Sequence, residues 1–331
     1  MSGILQVISA GVQTSVQDGG RELARRYGVP RGGAMDLLAL VAANRLVGNP
    51  ANAAALEISG GGAIFTLLRP TLLALTGADL GAELDGRPLR PWVAELVSAG
   101  TTLTMSARRG GWGARAYLAL AGGIEVPCLL GARATYLAGG FGGLQGRALR
   151  AGDRLEVGTA PQRCWSLAGG QWPAHARPAY GATPTLRFIP GPYDQALEPD
   201  SLAVLRTATL RVGPTSNRIG YRLEGLPLRF TQPQSLPSFG VLPGAIQVPP
   251  DGNPILLMAE AQTVGGYPVV GVVITPDLPL AAQLLPGDSL RLAAIDQDEA
   301  HAAQHLWASW LTAEPELDDW SAQLALSGAL P

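Results

Sequence analysis

The sequence predicts a mainly β chain, and three observations carry that prediction. Gly (43) and Pro (27) are spread along the 331 residues and are not gathered in one tract, a punctuation that suits many short strands joined by turns. Strand-like runs recur at short spacing, at 63–68, 71–76, 101–106, 114–120, 154–157, 185–189, 255–258 and 269–274. Helical periodicity surfaces in only three places. From Asp36 to Val47 a helical run ends at Gly48-Asn49-Pro50, a glycine stop followed by a proline that cannot continue it. A second helix is expected around Leu278–Leu285. A third opens with Asp296 and Glu299 in capping-box spacing, sets Ala302, His305, Leu306 and Trp310 toward one side, and is expected to dock at the C-terminus beyond the β core.

At about 150 residues per domain the length predicts roughly two domains. The stretch 158–184 lacks either periodicity and is rich in Gly, Pro and Ala, so it reads as a linker. The expected order is a first β subdomain at 1–157, the linker at 158–184, a second β subdomain at 185–295 and a helical tail at 296–331. The two halves echo one another: Leu149-Arg150-Ala151-Gly152-Asp153-Arg154-Leu155 is similar to Leu285-Pro286-Gly287-Asp288-Ser289-Leu290, a Gly-Asp turn leading into a strand each time.

Composition excludes several classes of chemistry. All 24 basic residues are Arg, so the chain has no lysine with which to build a Walker A loop, a pyridoxal Schiff base or a biotin attachment site. The net charge of -2 argues against a nucleic-acid partner. The three His and two Cys lack zinc-site spacing. His301 and His305 stand four apart, but Ala302 occupies the place where a metalloprotease motif needs its Glu, and a solvated helix face is the expectation. The most apolar stretch, 63–75, is cut by Arg69 and Pro70 and is too short to span a bilayer. With no signal-like N-terminus, a cytoplasmic protein without a membrane anchor is expected.

The unusual polar residues sit in glycine-rich turns: Asp18 and Arg21, Arg31 and Asp36, Asn217 and Arg218, and Gln247. Such turns bring backbone N–H groups and guanidinium forks onto a carboxylate or phosphate. They also serve as ordinary loop caps. Asp36 stands where an N-cap would stand, and Asn217 where a turn would close. Glu57 and Glu260 lie in apolar runs, where a carboxylate is either a general base or half of a buried Arg–Glu pair.

Together, VQDGGR (16–21), GVPRGGAMD (28–36), AANRLVGN (42–49), ALEISGGG (55–62), YLALAGGI (117–124), SNRIGYRLEG (216–225), GAIQVPPDGNPILLM (244–258) and QTVGGYP (262–268) resemble the family of biotin-dependent carboxyltransferase-like proteins, also called allophanate hydrolase subunit 2 homologues. The resemblance implies two cyclophilin-like β-barrel subdomains and a subunit of an ATP-dependent 5-oxoprolinase, acting with B-type and A-type partner subunits. It also leaves two other roles open. One is a non-catalytic regulatory partner of a kinase-inhibitor-like B-type protein; the other is a carboxyltransferase half acting on a urea-like amide with carboxybiotin from another chain.

Opening a lactam requires its carbonyl oxygen to become a leaving group, which phosphorylation by ATP with Mg2+ achieves at the level of the complex. Within the resemblance, Arg21, Arg31 and Arg218 are the expected anion binders. Asp18, Asp36 and Glu260 are the expected catalytic or orienting carboxylates. Asn217, Gln247, Gln262 and Tyr267 are expected to hydrogen bond a small amide substrate. The chain departs from the family pattern at Glu22-Leu23, at Gly32, at Ala132 and Ala134, and at 260–264, where Ala261 replaces an Arg.

Overall fold

The structure, a computed structural model, describes residues 4–162, 164–225 and 227–317. The chain divides into two compact units. The first draws its described residues from Met1–Gly20, Asp36–Pro178 and Ser309–Pro331, the second from Arg21–Met35 and Ala179–Ala308.

The strands of the first unit are β1 (Leu5–Ala10), β2 (Gln13–Gln17), β3 (Ala55–Ser59), β4 (Ala63–Leu67), β5 (Thr71–Gly77), β6 (Ala82–Leu84), β7 (Arg87–Pro88), β8 (Ala94–Val97), β9 (Thr102–Met105), β10 (Arg115–Leu120), β11 (Ile124–Glu125) and β12 (Arg154–Val157). They form a seven-stranded sheet in the order β11-β12-β1-β4-β9-β6-β7 and a five-stranded sheet in the order β2-β3-β10-β5-β8. Leu5, Val7, Phe65 and Leu103 from one sheet share a core with Leu56, Ile58, Leu73, Leu75 and Leu118 from the other. Helix α1 (Leu37–Leu46) packs on β5 and β10, where Thr76 Oγ1 donates to the Ala39 carbonyl at 2.6 Å. Every residue of β5 and β10 is therefore buried, which is why their inner stretches, 72–75 and 116–120, read as apolar runs with no alternation.

The second unit is built from β13 (Thr185–Pro190), β14 (Thr209–Val212), β15 (Gly220–Glu224), β16 (Phe239–Gly240), β17 (Ala245–Gln247), β18 (Ile255–Leu257), β19 (Val264–Gly265), β20 (Val269–Val273) and β21 (Ser289–Ala294). Seven of these strands close a barrel in the order β13-β20-β17-β18-β15-β14-β21, and the parallel pairing of β13 with β21 completes the ring. Leu186, Phe188, Tyr221, Leu223, Ile246, Leu256 and Leu292 fill its interior. Strands β16 and β19 pair as a small ribbon apart from the barrel, over a satellite cluster of Val241, Ala245, Leu257, Ala261 and Val269.

Mainly β architecture is thus the outcome in both units, arranged as two sheets in the first and as a closed barrel in the second. Two expected boundaries are corrected. Arg21–Met35 belongs to the second unit although the sequence order put it in the first. The supposed linker is mostly structured: its residues up to Pro178 belong to the first unit, where Trp172 is fully buried with its Nε1 donating to the Ala176 carbonyl at 2.9 Å. Backbone bonds from Gly169 N–H to Ala94 and from Ala94 N–H to Gly170, both 2.9 Å, tie this segment to β8. Its order rests on one indole and short 3-10 turns, so it has no period to read.

Among the helices, α1 starts at the predicted place, and α2 (Pro199–Thr207), opened by a proline at its first position, was not foreseen. Helix α3 (Leu278–Ala282) is shorter than expected. The capping box of α4 (Gln297–Leu311) forms as its spacing predicts: Glu299 N–H donates to Asp296 Oδ1 at 2.9 Å and Asp296 N–H to Glu299 Oε2 at 3.1 Å. Its buried stripe is Ala300, Ala303 and Trp307, while Ala302, His305 and Leu306 are exposed. The expected face is off by about a third of a turn, because Ala300 and Ala303 pack on Ile274. His301 and His305 both lie on the solvated side. Among the described residues no helix is long and apolar enough to cross a membrane.

Candidate functional site

Strand alternation in the second unit prepares a site on the outer face of the barrel. In β15, Tyr221 and Leu223 point into the barrel core, so Gly220 and Arg222 point outward. In β18, Leu256 is inward and Ile255 and Leu257 outward; in β17, Ile246 is inward and Gln247 outward. The registers Gly220↔Leu257, Arg222↔Ile255 and Gln247↔Ile255 set these outward residues side by side. A cavity of about 280 Å³ opens over them, its remaining wall supplied by Thr215, Asn217 and Ile219 from the preceding turn and by Gln262 and Tyr267.

Four sequence-predicted residues, Asn217, Gln247, Gln262 and Tyr267, thus line one cavity. Their hydrogen bonds run in a fixed direction. The Tyr267 backbone carbonyl can only accept, so Gln247, 1 % exposed, turns its Nε2 toward it at 3.3 Å. Gln247 Oε1 then faces Gln262, whose Nε2 donates to it at 3.2 Å. Gln262 Oε1 is left as the acceptor at the end of the relay. Asn217 closes the turn as well as lining the wall, its Oδ1 accepting from Ile219 N–H at 2.8 Å. Gly265 makes the relay possible, since a Cβ there would stand 2.8 Å from Gln247 Nε2.

Next to this wall in sequence, Arg218 and Glu260 form a buried ion pair at 2.6 Å, and Glu260 N–H donates to the Arg218 carbonyl at 2.8 Å. Of the two readings of Glu260, the structure gives the paired one. Arg218 Nη2 also donates to the Gly33 carbonyl, and Gly32 N–H to the Ala259 carbonyl at 2.9 Å. These bonds hold the Arg21–Met35 segment in the second unit. Arg21 is buried there, with a hypothetical Gly32 Cβ only 3.0 Å from its Nη1. Arg31 is partly exposed and pairs with Glu22 at 3.3 Å, as does Arg25. Glu22, one of the departures from the family pattern, thereby gives both arginines an internal anion.

The other two predicted carboxylates lie in the first unit. Asp36 is the N-cap of α1, fully buried, with Oδ1 accepting from Ala39 N–H at 2.9 Å. The geometry shows the cap reading of Asp36. Its own N–H donates to the Tyr117 hydroxyl at 2.8 Å, and that hydroxyl donates to Glu57 Oε2 at 2.7 Å. Arg115 Nε lies 3.7 Å from Glu57 Oε1. Burial first, then the charges of Glu57 and Asp36, push the Tyr117 phenol well above its ordinary 10.0 against the opposing charge of Arg115. Asp18 accepts from Gly20 N–H at 2.8 Å and from Arg133 N–H, and it lines a second cavity of about 290 Å³ with Asn52, Glu125, Cys128 and Arg133.

Sequence reasoning missed Arg222 in one unit and Tyr117 with Arg115 in the other. For Arg222 the alternation Tyr221-Arg222-Leu223 was the available signal. Among the described residues no group of three His, Cys, Asp or Glu is placed to hold a metal ion.

A family model described as the carboxyltransferase domain, subdomain A and B, matches residues 27–294. The C-type 5-oxoprolinase subunit of Escherichia coli (strain K12) is 39% identical over 301 residues, covering 91% of this chain and 94% of that protein. The C-type 5-oxoprolinase subunit of Haemophilus influenzae is 34% identical over 297 residues, covering 90% of this chain and 93% of that protein. The crystal structure of the K. lactis urea amidolyase superimposes with a TM-score of 0.88 at 26% identity; the match covers 97% of this chain but spans only 21% of that one.

Proposed function

The chain belongs to the carboxyltransferase-domain family, subdomains A and B, and from that premise we propose that it is the C-type subunit of an ATP-dependent 5-oxoprolinase, opening a cyclic amide to glutamate together with B-type and A-type subunits. The observation that carries the reading is the correspondence with the Escherichia coli protein over 94% of that protein's length. Under this reading the substrate sits over β15, β17 and β18. The lactam N–H faces Gln262 Oε1, whose direction the Gln247 relay fixes. Ile255 and Leu257 meet the apolar ring face.

ATP with Mg2+ is supplied at the level of the complex. Its phosphoryl group converts the lactam oxygen into a leaving group, and in a chain without lysine the phosphate charge is met by Arg side chains, backbone N–H groups, Mg2+ or the partner subunits. The contribution of this chain is to bind and orient. Arg218 and Glu260 act as a clamp on the Arg21–Met35 segment, in which Arg21 is buried and Arg31 is paired with Glu22.

The test is reconstitution. The chain alone is expected to release negligible phosphate from ATP with 5-oxoproline, and co-expression with B-type and A-type subunits to give a co-eluting complex that forms glutamate. Robust turnover by the chain alone would overturn this division of labour. So would separate elution of the subunits at micromolar concentration. A second reading, transfer of a carboxyl group to a urea-like amide, draws support from the TM-score of 0.88 to a urea amidolyase. It predicts urea-dependent discharge of carboxybiotin supplied in trans, since a chain without lysine carries no biotin itself.

A further inference from the structure

Arg222 differs from the other arginines around the candidate site. Arg218 is committed to Glu260 and the Gly33 carbonyl, and Arg31 to Glu22. Arg222 is exposed, lines the cavity, and its guanidinium makes no hydrogen bond or ion pair with any described residue; its bonds to Ser216 and Gly213 are made by its backbone. The acidic residue nearest in sequence, Glu224, shares the outward face of β15 and sets its Oε1 beside Gly213, the residue across from Arg222, without forming an ion pair with it. No carboxylate lines the cavity. Its polar wall therefore consists of neutral amides and hydroxyls plus one cationic fork.

That arrangement discriminates between substrates. Urea is neutral and small, and leaves a guanidinium without a counter-ion. A cyclic amide carrying a carboxylate offers an N–H to the acceptor end of the amide relay and an anion to the fork. We propose that Arg222 is the specificity-determining residue of this cavity, taking the carboxylate of its ligand, so that the substrate class is a carboxylated small amide and not a neutral one. The proposal rests on the reading that this cavity is the substrate site. Arg222 is set on a strand, its backbone N–H held by Ser216 Oγ at 3.0 Å, so the barrel fixes the point from which its side chain extends.

The experiment is a calorimetric titration of the full chain with 5-oxoproline and with its neutral carboxamide, on the wild type and on Arg222→Gln, Arg222→Lys and Gln247→Leu. The wild type is expected to prefer the acid by about tenfold, the size of one charge-assisted contact at a partly exposed position. R222Q is expected to abolish the preference while changing carboxamide affinity by less than about threefold, and R222K to retain part of it because a lysine keeps the charge without the fork. Q247L is expected to weaken both ligands alike. A preference undiminished in R222Q overturns the role of Arg222 while leaving the site in place. If the wild type binds neither compound, or Q247L binds both unchanged, the substrate-site reading itself falls, and the proposal with it.

Discussion

Asp153 and Asp288 hold the same position in two copies of one turn. Asp153 Oδ2 accepts from Arg150 N–H at 2.8 Å, and Asp288 Oδ2 from Leu285 N–H at 2.8 Å. Each is preceded by a glycine with positive φ, +90° at Gly152 and +95° at Gly287. Each turn then clasps one residue of a neighbouring strand: Gly152 N–H donates to Val7 and Val7 N–H to Asp153, as Gly287 N–H donates to Val212 and Val212 N–H to Asp288. The sequence echo between the halves is therefore a repeated piece of backbone.

The first copy yields a pH prediction. Asp153 also receives both Arg147 nitrogens, at 2.7 and 2.9 Å, and chiefly for that reason its carboxyl lies below the ordinary 3.8. A carboxyl with a lowered folded value favours folding above its unfolded value, and that contribution fades as pH falls through the folded value. Asp153→Asn keeps the turn acceptor but loses the ion pair. The variant is expected to be about 1 kcal/mol less stable at pH 7 in urea unfolding, with the gap closing below pH 3.8. A gap independent of pH would show that the pair does not contribute.

Tyr117 gives the opposite slope. Its phenol is held protonated by burial and by the carboxylates of Glu57 and Asp36, so the folded state keeps a proton that the unfolded chain loses above about pH 10. Stability should therefore fall as pH rises from there toward the raised folded value. Tyr117→Phe removes the donor to Glu57 and the acceptor for Asp36 N–H at once. We expect it to lose about 2–4 kcal/mol at pH 7, because two buried polar groups each lose a hydrogen bond. Its stability should also fall less steeply above pH 10, by up to about 1.4 kcal/mol per pH unit relative to wild type. Parallel alkaline limbs in the two proteins would contradict this account.

The Arg218–Glu260 pair should behave as structure. Glu260→Ala strands a buried guanidinium and is expected to lower stability by about 3–5 kcal/mol. Arg218→Lys, unable to reach both Glu260 and the Gly33 carbonyl in the same fork, should lower the melting temperature while the folded fraction keeps its ligand affinity within about twofold. A large loss of affinity in R218K with an unchanged melting temperature would return Arg218 to the anion-binding role the sequence suggested.

Much of this was legible locally, and what was hidden is long-range. The barrel strands, the start of α1 and the Asp296–Glu299 box are written in short-range pattern and capping chemistry. Gln247, Gln262 and Tyr267 could be selected because the resemblance covers their segments and side-chain amides match the N–H and C=O of a small amide. The membership of Arg21–Met35 in the second unit depends on bonds from Gly32 to Ala259 and from Arg218 to Gly33, more than 180 residues apart, which no window captures. Tyr117 is concealed because β10 is buried on both faces, so a polar hydroxyl there looks like core. Arg222 was passed over for Arg218 because turns were weighted above strands, although a strand fixes a side chain's direction more firmly.

Gly265 offers the sharpest separation of binding from folding. Its φ lies outside the left-handed region, so an alanine fits the backbone, but the added Cβ would stand 2.8 Å from Gln247 Nε2, the far end of a movable side chain. Relief comes by shifting Gln247, which breaks its bond to the Tyr267 carbonyl and turns Gln262 with it. Gly11 is the contrasting case, with φ +63° and a hypothetical Cβ 2.2 Å from the Gly61 carbonyl oxygen, where only the backbone of the β1–β2 turn could yield. Gly265→Ala is therefore expected to weaken 5-oxoproline binding by about tenfold, the loss of one to two oriented hydrogen bonds, with a melting temperature within a few degrees of wild type. Gly11→Ala is expected to lower the melting temperature steeply and to leave the affinity of the folded remainder unchanged. If Gly265→Ala loses stability and affinity in the same proportion as Gly11→Ala, the amide relay is a packing feature and does not orient a ligand.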